Sequence, residues 1–513
     1  MSFIDLSVAS PPAVIQADFC VVGAGAAGIF LASRLLEKGK SVVLLEAGPV
    51  NAIDTESIGF EPSFVKDEYA GALVGRYFGS GGSTSHWGGN LVPHTGHDIR
   101  DDYYTDVWKN IVNCVEEHSS RVLNNLGYTK EALFHNYAIE ALGSAADSLM
   151  KLGIHPQSSL LLPFSSKNLA GLLPKISGPS SKLIVINNAV AKDWSFCASE
   201  TRLVKRLVSV SVKNNKALVE AKNYIIAAGA IESARILLEI DQSTMGSILP
   251  KGTAVGAFLG DHLSIAIADV SIDDCEKAAK LFGSRFDGSW MRGIRLLEKD
   301  TGSDSVRAFA HFEFDNQSPG FMVAKEVLQA IQSRKLPNIS VRTIAAGLGD
   351  LVALAYYRYY NSRLYIPKNT KAHLQLDIEQ NPSCENNITL LSETDAYGRQ
   401  KILINWEIAE RDMENISKTA RRFLNLWPKE SLEMPKLIPR AIEPTYRKSY
   451  DAYHPVGTCQ MGMHKEAVVD FDLKVHGVDN LWVLSTGVLP SAGTANPTFS
   501  MLCLGNRLAE QLD

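Results

Sequence analysis

Three glycines near the N-terminus have the spacing of a dinucleotide-binding turn. Residues 23–28 read GAGAAG and follow a short apolar run at residues 19–22. In such a turn Gly23 permits the sharp reversal after the strand, Gly25 lets the backbone approach a pyrophosphate, and Gly28 lets the helix pack against the strand. The helix that follows would present unpaired N–H groups and a positive dipole to phosphate. The motif therefore predicts a bound dinucleotide.

An acidic side chain supports the same prediction and narrows the choice of dinucleotide. Glu46 follows a second apolar run at residues 42–45, about 20 residues beyond the glycines. An acid at this place binds a ribose hydroxyl and disfavours a 2′-phosphate. We therefore expect FAD or NAD rather than NADP.

The order of predicted elements places the two ends of the chain in one domain. Residues 17–46 predict a strand–helix–strand unit, and the chain from residue 479 onward again predicts a strand, a glycine turn and a helix. Residues 71–89 are rich in glycine and serine and predict a loop. Residues 101–180 predict mainly helices, and residues 203–226 predict short strands. We expect a discontinuous cofactor domain, with a substrate domain built from the intervening segments.

The composition argues against several function classes. The chain has 513 residues, is 45% hydrophobic and 21% charged, and carries a net charge of −5. Lys and Arg show no evident clustering, so neither nucleic acid nor an acidic membrane surface is expected as a partner.

Seven scattered cysteines form no CxxC pair, which argues against a structural zinc site, an iron–sulfur cluster or a disulfide framework. No apolar run would span a bilayer and the N-terminus lacks a signal-peptide pattern, so a cytoplasmic location is expected.

Further motifs resemble those of the glucose–methanol–choline (GMC) oxidoreductases. They are GSGGSTSHWGGN at residues 79–90, AAGAIESARILL at 227–238, GAFLGDH at 256–262, NPSCENNITLL followed by DAYG within 381–398, and the C-terminal block that begins at His454. Together with the glycine turn they stand in the family's order along nearly the whole chain. The resemblance implies FAD, and hydride transfer from an alcohol carbon to flavin N5.

The resemblance assigns the chemistry to two C-terminal residues. His454, in YHPVGTC, matches the family's catalytic histidine, and a neutral imidazole suits removal of the hydroxyl proton. Asn496 matches the second member of the catalytic pair, and its amide can hold a substrate oxygen but cannot take a proton at neutral pH. Asn is also a favoured helix N-cap and Pro497 a favoured first helical residue, so a capping role for Asn496 stays open beside the catalytic one.

The glycine-rich loop carries a second histidine of interest. His86 lies four residues after Gly82, in a loop similar to that of the sugar-oxidising, pyranose 2-oxidase-like members of the family. In such members the matching histidine is bonded to the flavin, whereas other members keep the histidine without the bond. Covalent attachment of FAD to His86 and non-covalent packing beside the flavin both stay open.

The resemblance also implies where the cofactor is held. Glu232 is expected near the adenine or ribose, with a solvated acid at a helix start as the alternative, and Asp261-His262 is expected to be structural and close to the pyrophosphate. The expected cofactor contacts are Gly23, Gly25, Ala26, Ala27, Gly28, Glu46, Ala47, Gly81, Gly82, Ser83, His86, Trp87, Asn90, Val190, Ala228, Gly229, Thr486, Gly487, Asn496, Pro497 and Thr498.

These expectations define a fold class. We expect an α/β protein with a Rossmann-like FAD-binding domain and an interleaved α+β substrate domain that carries an antiparallel sheet. The FAD-binding domain is assigned to residues 1–100, 181–262 and 441–513, and the substrate-binding domain to residues 101–180 and 263–440.

The expected activity is oxidation of an alcohol CH–OH group to a carbonyl, with oxygen or another electron acceptor reoxidising the flavin. The loop around His86 favours a sugar, glycoside, aminoglycoside or cyclic polyol as substrate. Aliphatic, aryl or sterol alcohols and a redox-neutral, FAD-containing lyase reaction are the alternatives. A reductase or monooxygenase that uses NAD(P)H is disfavoured because no second GxGxxG follows a strand.

Overall fold

The computed structural model describes residues 2–11, 13–173, 182–197, 202–298, 306–442 and 450–512. Its strands, in chain order, are β1 (Ser2–Asp5), β2 (Ile15–Val22), β3 (Val42–Leu45), β4 (Ile53–Asp54), β5 (Ser63–Phe64), β6 (Tyr77–Phe78), β7 (Asn90–Leu91), β8 (Ile154–Leu161), β9 (Leu183–Asn187), β10 (Val190–Phe196), β11 (Val204–Val210), β12 (Lys216–Ile226), β13 (His262–Val270), β14 (Arg285–Asp287), β15 (Trp290–Glu298), β16 (Ala308–Phe314), β17 (Ala372–Glu379), β18 (Asn387–Thr394), β19 (Gln400–Asn405), β20 (Leu437–Pro439), β21 (Tyr450–Asp451) and β22 (Leu481–Val483).

The α-helices, in chain order, are α1 (Ala26–Glu37), α2 (Thr55–Ile58), α3 (Ala70–Leu73), α4 (Thr105–Asn125), α5 (Phe134–Leu142), α6 (Ser144–Lys151), α7 (Phe164–Lys167), α8 (Gly229–Ser243), α9 (Cys275–Phe282), α10 (Pro319–Ser333), α11 (Val341–Ala346), α12 (Leu348–Tyr360), α13 (Glu410–Leu426) and α14 (Thr498–Gln511). Short 3₁₀ turns lie at Gly82–Ser85, Gly96–Asp98, Leu169–Leu172, Ile272–Asp274 and Thr486–Val488.

A mostly parallel sheet joins the two ends of the chain. Its order is β1-β9-β3-β2-β12-β11-β10, and β22 pairs with β12 in parallel. The neighbouring pairs β1–β9, β9–β3, β3–β2 and β2–β12 are parallel. The pairs β12–β11 and β11–β10 are antiparallel. The α/β fold with a Rossmann-like domain that the sequence predicted is confirmed.

The strand–helix–strand unit at residues 17–46 forms as predicted because its apolar runs are buried on all sides. All four residues of β3 are buried, and so are the last four of β2. Helix α1 is buried from Ala27 to Leu35, since it lies between the parallel sheet and α14. The N- and C-terminal segments therefore share one core.

A second, antiparallel sheet forms the other half of the molecule. Its order is β20-β13-β17-β16-β15-β8-β7, with β14 on β15 and β21 on β13. The antiparallel sheet predicted for the substrate domain is confirmed. The domain boundaries themselves stay a prediction, and strands β7 and β21 of this sheet lie within ranges assigned from sequence to the FAD-binding domain.

One local prediction was wrong. Residues 71–89 are not all loop, because they include most of α3, all of β6 and one 3₁₀ turn. The described part of residues 101–180 is mainly helical as predicted, with strand β8 in addition. Pro156 and the polar residues 157–159 give this strand no apolar alternation, and Ser159 lines a cavity.

Candidate active site

Two cavities meet at a small group of polar residues. The larger, of about 600 Å³, lies along the carboxyl ends of the parallel strands and reaches from Gly23 to Asn496. The smaller, of about 440 Å³, lies against the antiparallel sheet. Both are lined by Asn90, Ala452, His454 and Asn496. The two residues that the sequence singled out for chemistry thus stand where one cavity opens on the other.

The glycine turn at the start of α1 is shaped to receive a phosphate. Gly23 has a φ of +107°, and a Cβ there would lie 2.5 Å from the Ala227 carbonyl oxygen. A Cβ on Gly25 would meet nothing within 4 Å, because this residue faces the larger cavity. Gly25 is the N-cap, no side chain caps the helix, and its first turn holds no acid. The free N–H groups of this turn are therefore available to an anion.

Glu46 lies at the far side of the same turn. Its carboxylate accepts hydrogen bonds from the backbone N–H groups of Ala24, at 2.7 Å, and Gly48, at 2.9 Å. Burial raises the pKa of Glu46 to about 7, against the effect of these hydrogen bonds. The carboxylate lines the cavity beside the glycine turn. It is placed where an additional hydroxyl donor could reach it.

Most of the residues predicted to contact the cofactor line the larger cavity. They are Gly23, Gly25, Ala26, Ala27, Glu46, Ala47, Gly82, Ser83, His86, Trp87, Asn90, Val190, Ala228, Gly229, Thr486, Asn496, Pro497 and Thr498. The helix starts at Gly229 in α8 and at Thr498 in α14 lie on this wall together with the start of α1.

Three predicted glycines lie behind the wall of this cavity. A Cβ on Gly28 would lie 1.9 Å from the Gly23 carbonyl oxygen, so its role is the close packing of helix on turn. A Cβ on Gly81 would lie 2.1 Å from Asn168 Oδ1, and one on Gly487 would lie 2.5 Å from Thr458 Oγ1. These residues shape the cradle through backbone packing.

His454 is partly buried, and each of its ring nitrogens lies within hydrogen-bond distance of a partner. Its Nδ1 lies 3.2 Å from His262 Nδ1, and its Nε2 lies 3.1 Å from Asn496 Nδ2. The Asn496 Oδ1 accepts a hydrogen bond of 3.4 Å from Asn90 Nδ2. Pro497 rather than Asn496 occupies the N-cap of α14, and no side chain caps that helix. The Asn496 amide therefore serves the histidine and not the helix.

The hydrogen-bond partners fix the tautomer of His454. His262 Nε2 lies 2.8 Å from the Gly493 carbonyl oxygen, which can only accept, so the His262 proton is on Nε2. His262 Nδ1 is then an acceptor, and His454 must donate to it from Nδ1. The lone pair of neutral His454 consequently resides on Nε2, which faces Asn496 and the junction of the two cavities.

The surroundings keep this imidazole neutral. Burial lowers the pKa of His454 to about 3, and the neighbouring His262 acts in the same direction. Burial also lowers the pKa of His262. Both rings are therefore uncharged near neutral pH.

A buried carboxylate fixes the backbone of His454. Asp261 accepts a hydrogen bond from the His454 N–H at 2.8 Å and one from the Tyr69 hydroxyl at 2.5 Å. Tyr453, just before the histidine, adopts a φ of +59°. The structure places Asp261 and His262 directly behind His454, outside the lining of the larger cavity, and not near the pyrophosphate turn as predicted.

The loop histidine is held in a defined orientation. The His86 ring stacks on Tyr77 with centroids 3.7 Å apart and an angle of 8° between the rings. His86 Nδ1 lies 2.8 Å from the Ser85 hydroxyl, so Nε2 is the nitrogen left open. Trp87 anchors the loop by donating from Nε1 to the Lys167 carbonyl at 2.7 Å. Partial burial lowers the pKa of His86, which favours the neutral imidazole.

Glu232 is buried in a cluster of guanidinium groups. It pairs with Arg76 at 2.8 Å, Arg399 at 3.3 Å and Arg235 at 3.5 Å. Burial would raise its pKa, but the three guanidinium groups outweigh this effect and lower it to about 2. Glu232 also lines the larger cavity, so the solvated-acid alternative is wrong.

The smaller cavity combines polar groups with aromatic faces. The polar side chains are Asn90, Ser159, Ser264, Ser284, Arg295, His311, Glu313, Asn316 and Asp377, and the rings are those of Phe282, Phe309, Phe312, Phe314 and Phe321.

Three buried polar atoms of this lining have no hydrogen-bond partner within the described part of the chain. They are Asn90 Oδ1, Arg295 Nη2 and His311 Nδ1. Arg295 is held by Gln157 Oε1 at 2.8 Å and by the Thr494 carbonyl, which leaves Nη2 as its unused donor. Sequence reasoning missed Arg295 and the serines of β8, because no motif marks them.

Metal ligands and membrane-spanning helices are both absent from the described ranges. Within these ranges no group of three or more His, Cys, Asp or Glu side chains is arranged to hold a metal ion. None of the helices described combines the length and apolar character needed to cross a bilayer.

Comparison with protein families yields two matches. Residues 382–505 match the model described as GMC oxidoreductase, which covers His454, Asn496 and most of α14. Residues 21–71 match the model of an NAD(P)-binding Rossmann-like domain, which covers the glycine turn and Glu46.

Comparison with curated proteins and solved structures gives distant full-length relatives. An oxygen-dependent choline dehydrogenase from Citrobacter koseri is 23% identical, over 96% of this chain and 95% of that protein. The structure of a pyridoxine 4-oxidase from Mesorbium loti superposes with a TM-score of 0.56 at 16% identity, over 96% of this chain and 98% of the other. A formate oxidase from Aspergillus oryzae RIB40 gives 0.57 at 15% identity, over 98% and 99% of the two chains. These structures share the fold of this protein.

Proposed function

This chain belongs to the GMC oxidoreductases, FAD-dependent enzymes that act on CH–OH groups, and from that premise we propose that it oxidises a ring hydroxyl of a sugar, glycoside, aminoglycoside or cyclic polyol. The observation that carries the proposal is the position of His454 and Asn496 at the junction of the two cavities. One cavity suits a dinucleotide and the other suits a small polar molecule.

The larger cavity fits FAD. Its wall offers three helix starts and the open Gly25 for the pyrophosphate, and the Glu46 carboxylate for a ribose. The same wall extends past His86 to His454, which gives room for an isoalloxazine beyond the phosphates. FAD, when bound, supplies a hydride acceptor at its N5 atom.

His454 is the proposed base. Its Nε2 is unprotonated because Nδ1–H donates to His262, and burial keeps the imidazole neutral. In the structure His454 Nε2 accepts from Asn496 Nδ2 at 3.1 Å. A substrate hydroxyl at the junction would take the place of that amide, donating to Nε2 while its oxygen accepts from Asn496 Nδ2. His454 then takes the hydroxyl proton as the carbon–hydrogen bond breaks. Asn496 orients the oxygen and stabilises the partial negative charge that develops on it.

The smaller cavity favours a ring with several hydroxyls. Its lining combines hydrogen-bonding side chains, among them Ser159, Ser264 and Asp377, with five phenylalanine rings. A sugar or cyclitol presents hydroxyls at its edge and C–H groups on its faces, so its edge can hydrogen-bond to the polar side chains while its faces pack on the phenylalanine rings. An aliphatic or sterol alcohol would displace water from these polar groups without replacing the hydrogen bonds, which is unfavourable.

Choline is a competing substrate, since choline dehydrogenases are among the relatives. The carboxylates Asp377 and Glu313 would favour a cation in the smaller cavity. The Arg295 guanidinium lines the same cavity with an unused N–H and would repel it. An uncharged or amino-substituted polyol satisfies both sets of charges better than a quaternary ammonium with one hydroxyl.

The proposal is tested by anaerobic mixing of the FAD-loaded protein with separate substrates: monosaccharides, glycosides, aminoglycosides, cyclitols, choline, pyridoxine and simple alcohols. We expect loss of the oxidised-flavin absorption with a member of the polyhydroxy ring group. Reduction by choline or an aliphatic alcohol alone would contradict the substrate class and leave alcohol oxidation standing. Turnover of a cyanohydrin without flavin reduction would favour the lyase alternative.

A further inference from the structure

Exposed apolar side chains are concentrated in one segment of the surface. Helices α10, α11 and α12, with their connections, contain 12 of the 28 large hydrophobic side chains that are exposed in the described chain. No residue of α11 or α12 is buried, although both helices are mainly apolar in sequence. We call residues 319–371 the helical segment.

The exposure on α12 follows one face of the helix. Leu348, Val352, Tyr356 and Tyr359 are 57%, 69%, 53% and 81% exposed. Their spacing of four, four and three residues places them on a single stripe. Leu336, at 94%, and Val341, at 83%, extend the apolar surface toward the preceding turn.

The opposite side of α12 is tied to the body of the protein. The Asp350 carboxylate accepts a hydrogen bond from the Gly320 N–H at 3.2 Å, where α10 and α12 pack closely. Arg358 donates to the Gly288 carbonyl at 2.5 Å and stacks over the Phe286 ring at 3.7 Å. The stripe therefore points away from the core because the inner face is already engaged.

The charge of this segment differs from that of the whole chain. Residues 319–371 contain eight Lys or Arg and two Asp or Glu, a net charge of +6, whereas the complete chain carries −5. Arg334, Lys335 and Arg342 are exposed next to the apolar residues. The net charge of the whole chain therefore conceals a local excess of basic residues in this segment.

We propose that the helical segment docks peripherally on a bilayer with anionic headgroups. The surface has an apolar stripe, several tyrosines and flanking basic residues. Peripheral membrane-binding helices combine the same three features, because a bilayer interface offers acyl chains, a headgroup region and anionic phosphates. The apolar side chains enter the acyl boundary, and the Lys and Arg side chains meet the lipid phosphates. The inference rests on surface chemistry and is independent of the proposed substrate.

Charge complementarity favours a membrane over a second copy of the chain. A two-fold symmetric dimer through this surface would bring exposed basic residues, among them Arg334, Lys335 and Arg342, into an interface with their own copies. Like charges across an interface are unfavourable, whereas an anionic bilayer neutralises them. Phe321, Leu364 and Ile366 of the helical segment also line the smaller cavity, so docking would bring that cavity next to the lipid surface.

The test is vesicle flotation of the FAD-loaded, full-length protein. Vesicles of phosphatidylcholine are compared with vesicles that also contain phosphatidylglycerol, at low and high salt. We expect binding to the anionic vesicles that weakens as salt screens the charges. The double variant Val352→Glu/Tyr356→Glu should bind at least about tenfold more weakly. The triple variant Arg334→Gln/Lys335→Gln/Arg342→Gln, which loses three positive charges, should bind on the order of a hundredfold more weakly.

The matched control is Met245→Glu/Leu432→Glu, which places the same charges at residues that are 93% and 92% exposed elsewhere. This control should bind as the unmodified protein does, and thermal melting should show all variants folded. Absence of flotation with anionic vesicles, or equal loss in the control, would overturn the proposal. A concentration-dependent dimer in light scattering that Val352→Glu/Tyr356→Glu abolishes, without vesicle binding, would assign the surface to a second copy instead.

Discussion

The Nδ1 atoms of His262, which is fully buried, and His454, which is partly buried, lie 3.2 Å apart. The contact requires that one nitrogen donate and the other accept, and the Gly493 carbonyl decides which, because it occupies His262 Nε2–H. His454 therefore holds its proton on Nδ1 and keeps a lone pair on Nε2. A carbonyl several residues from the proposed reaction centre thus determines which nitrogen of the base is free.

A first prediction concerns His262 as a positioning residue. His262→Leu removes the acceptor for His454 Nδ1–H, so the wrong tautomer becomes accessible, and we expect kcat to fall at least about 10-fold with little change in KM. His262→Asn can present Oδ1 near the place of Nδ1 and should recover most of the activity. The measurement is kcat and KM of both variants and the unmodified enzyme at equal flavin content. If all three have the same activity, the contact between His262 and His454 contributes to packing and does not position the base.

A second prediction concerns pH. A base must be unprotonated to act, and the pKa of His454 is lowered from an ordinary value of 6.5 to about 3 by burial. As pH is lowered, kcat/KM should therefore stay constant through pH 6.5. Its decrease on the acid side should have a midpoint well below pH 6. Flavin content must be checked at each pH, because the Glu46 carboxyl titrates near 7. A single acid limb near 6.5 with flavin fully bound would contradict a buried neutral base.

A third prediction uses Asn496. In Asn496→Asp a carboxylate would stand about 3 Å from His454 Nε2 and stabilise the imidazolium, which raises the pKa of His454 by roughly 1–3 units. The acid limb of kcat/KM should move toward neutral pH, and kcat should fall. Asn496→Ala removes the hydrogen-bond donor without adding a charge, so the acid-side midpoint of kcat/KM should not move to higher pH in this variant. If the two variants give superimposable pH profiles, Asn496 does not face the base.

A fourth prediction concerns His86. Its Nδ1 is engaged by Ser85 and its ring is stacked on Tyr77, so Nε2 alone is open to the cavity. We expect flavin to stay with the protein pellet after acid precipitation, and His86→Ala to release it into the supernatant. A colourless pellet from the unmodified protein would show that FAD is held without a covalent bond, and would leave the other predictions unaffected.

Sequence motifs predicted the cofactor half of this molecule well. The glycine turn, Glu46 and the C-terminal strand–turn–helix depend on local spacing, and local spacing is readable in one sequence. His454 and Asn496 stand in specific motifs, and the structure brings their side chains together across 42 residues of chain. Their roles in the reaction stay a prediction.

The substrate half was less predictable for physical reasons. Arg295 and Ser159 line the smaller cavity, and polar residues that face a cavity interrupt the apolar alternation that identifies a strand. His262 was noticed within its motif, yet its partner lies 192 residues away and only the folded sheet reveals it. The exposed apolar and basic surface of the helical segment could not be predicted, because neither the exposure of these residues nor their neighbours in space can be read from sequence spacing.

The most direct measurement is the rate of anaerobic flavin reduction in a single turnover, for the unmodified enzyme and for His454→Ala, with the substrate found in the panel. Removing the base should slow flavin reduction by about 10²–10⁴-fold while flavin content and thermal stability stay close to those of the unmodified enzyme. A variant that reduces its flavin as fast as the unmodified enzyme would show that another group takes the hydroxyl proton, and would contradict the role of His454.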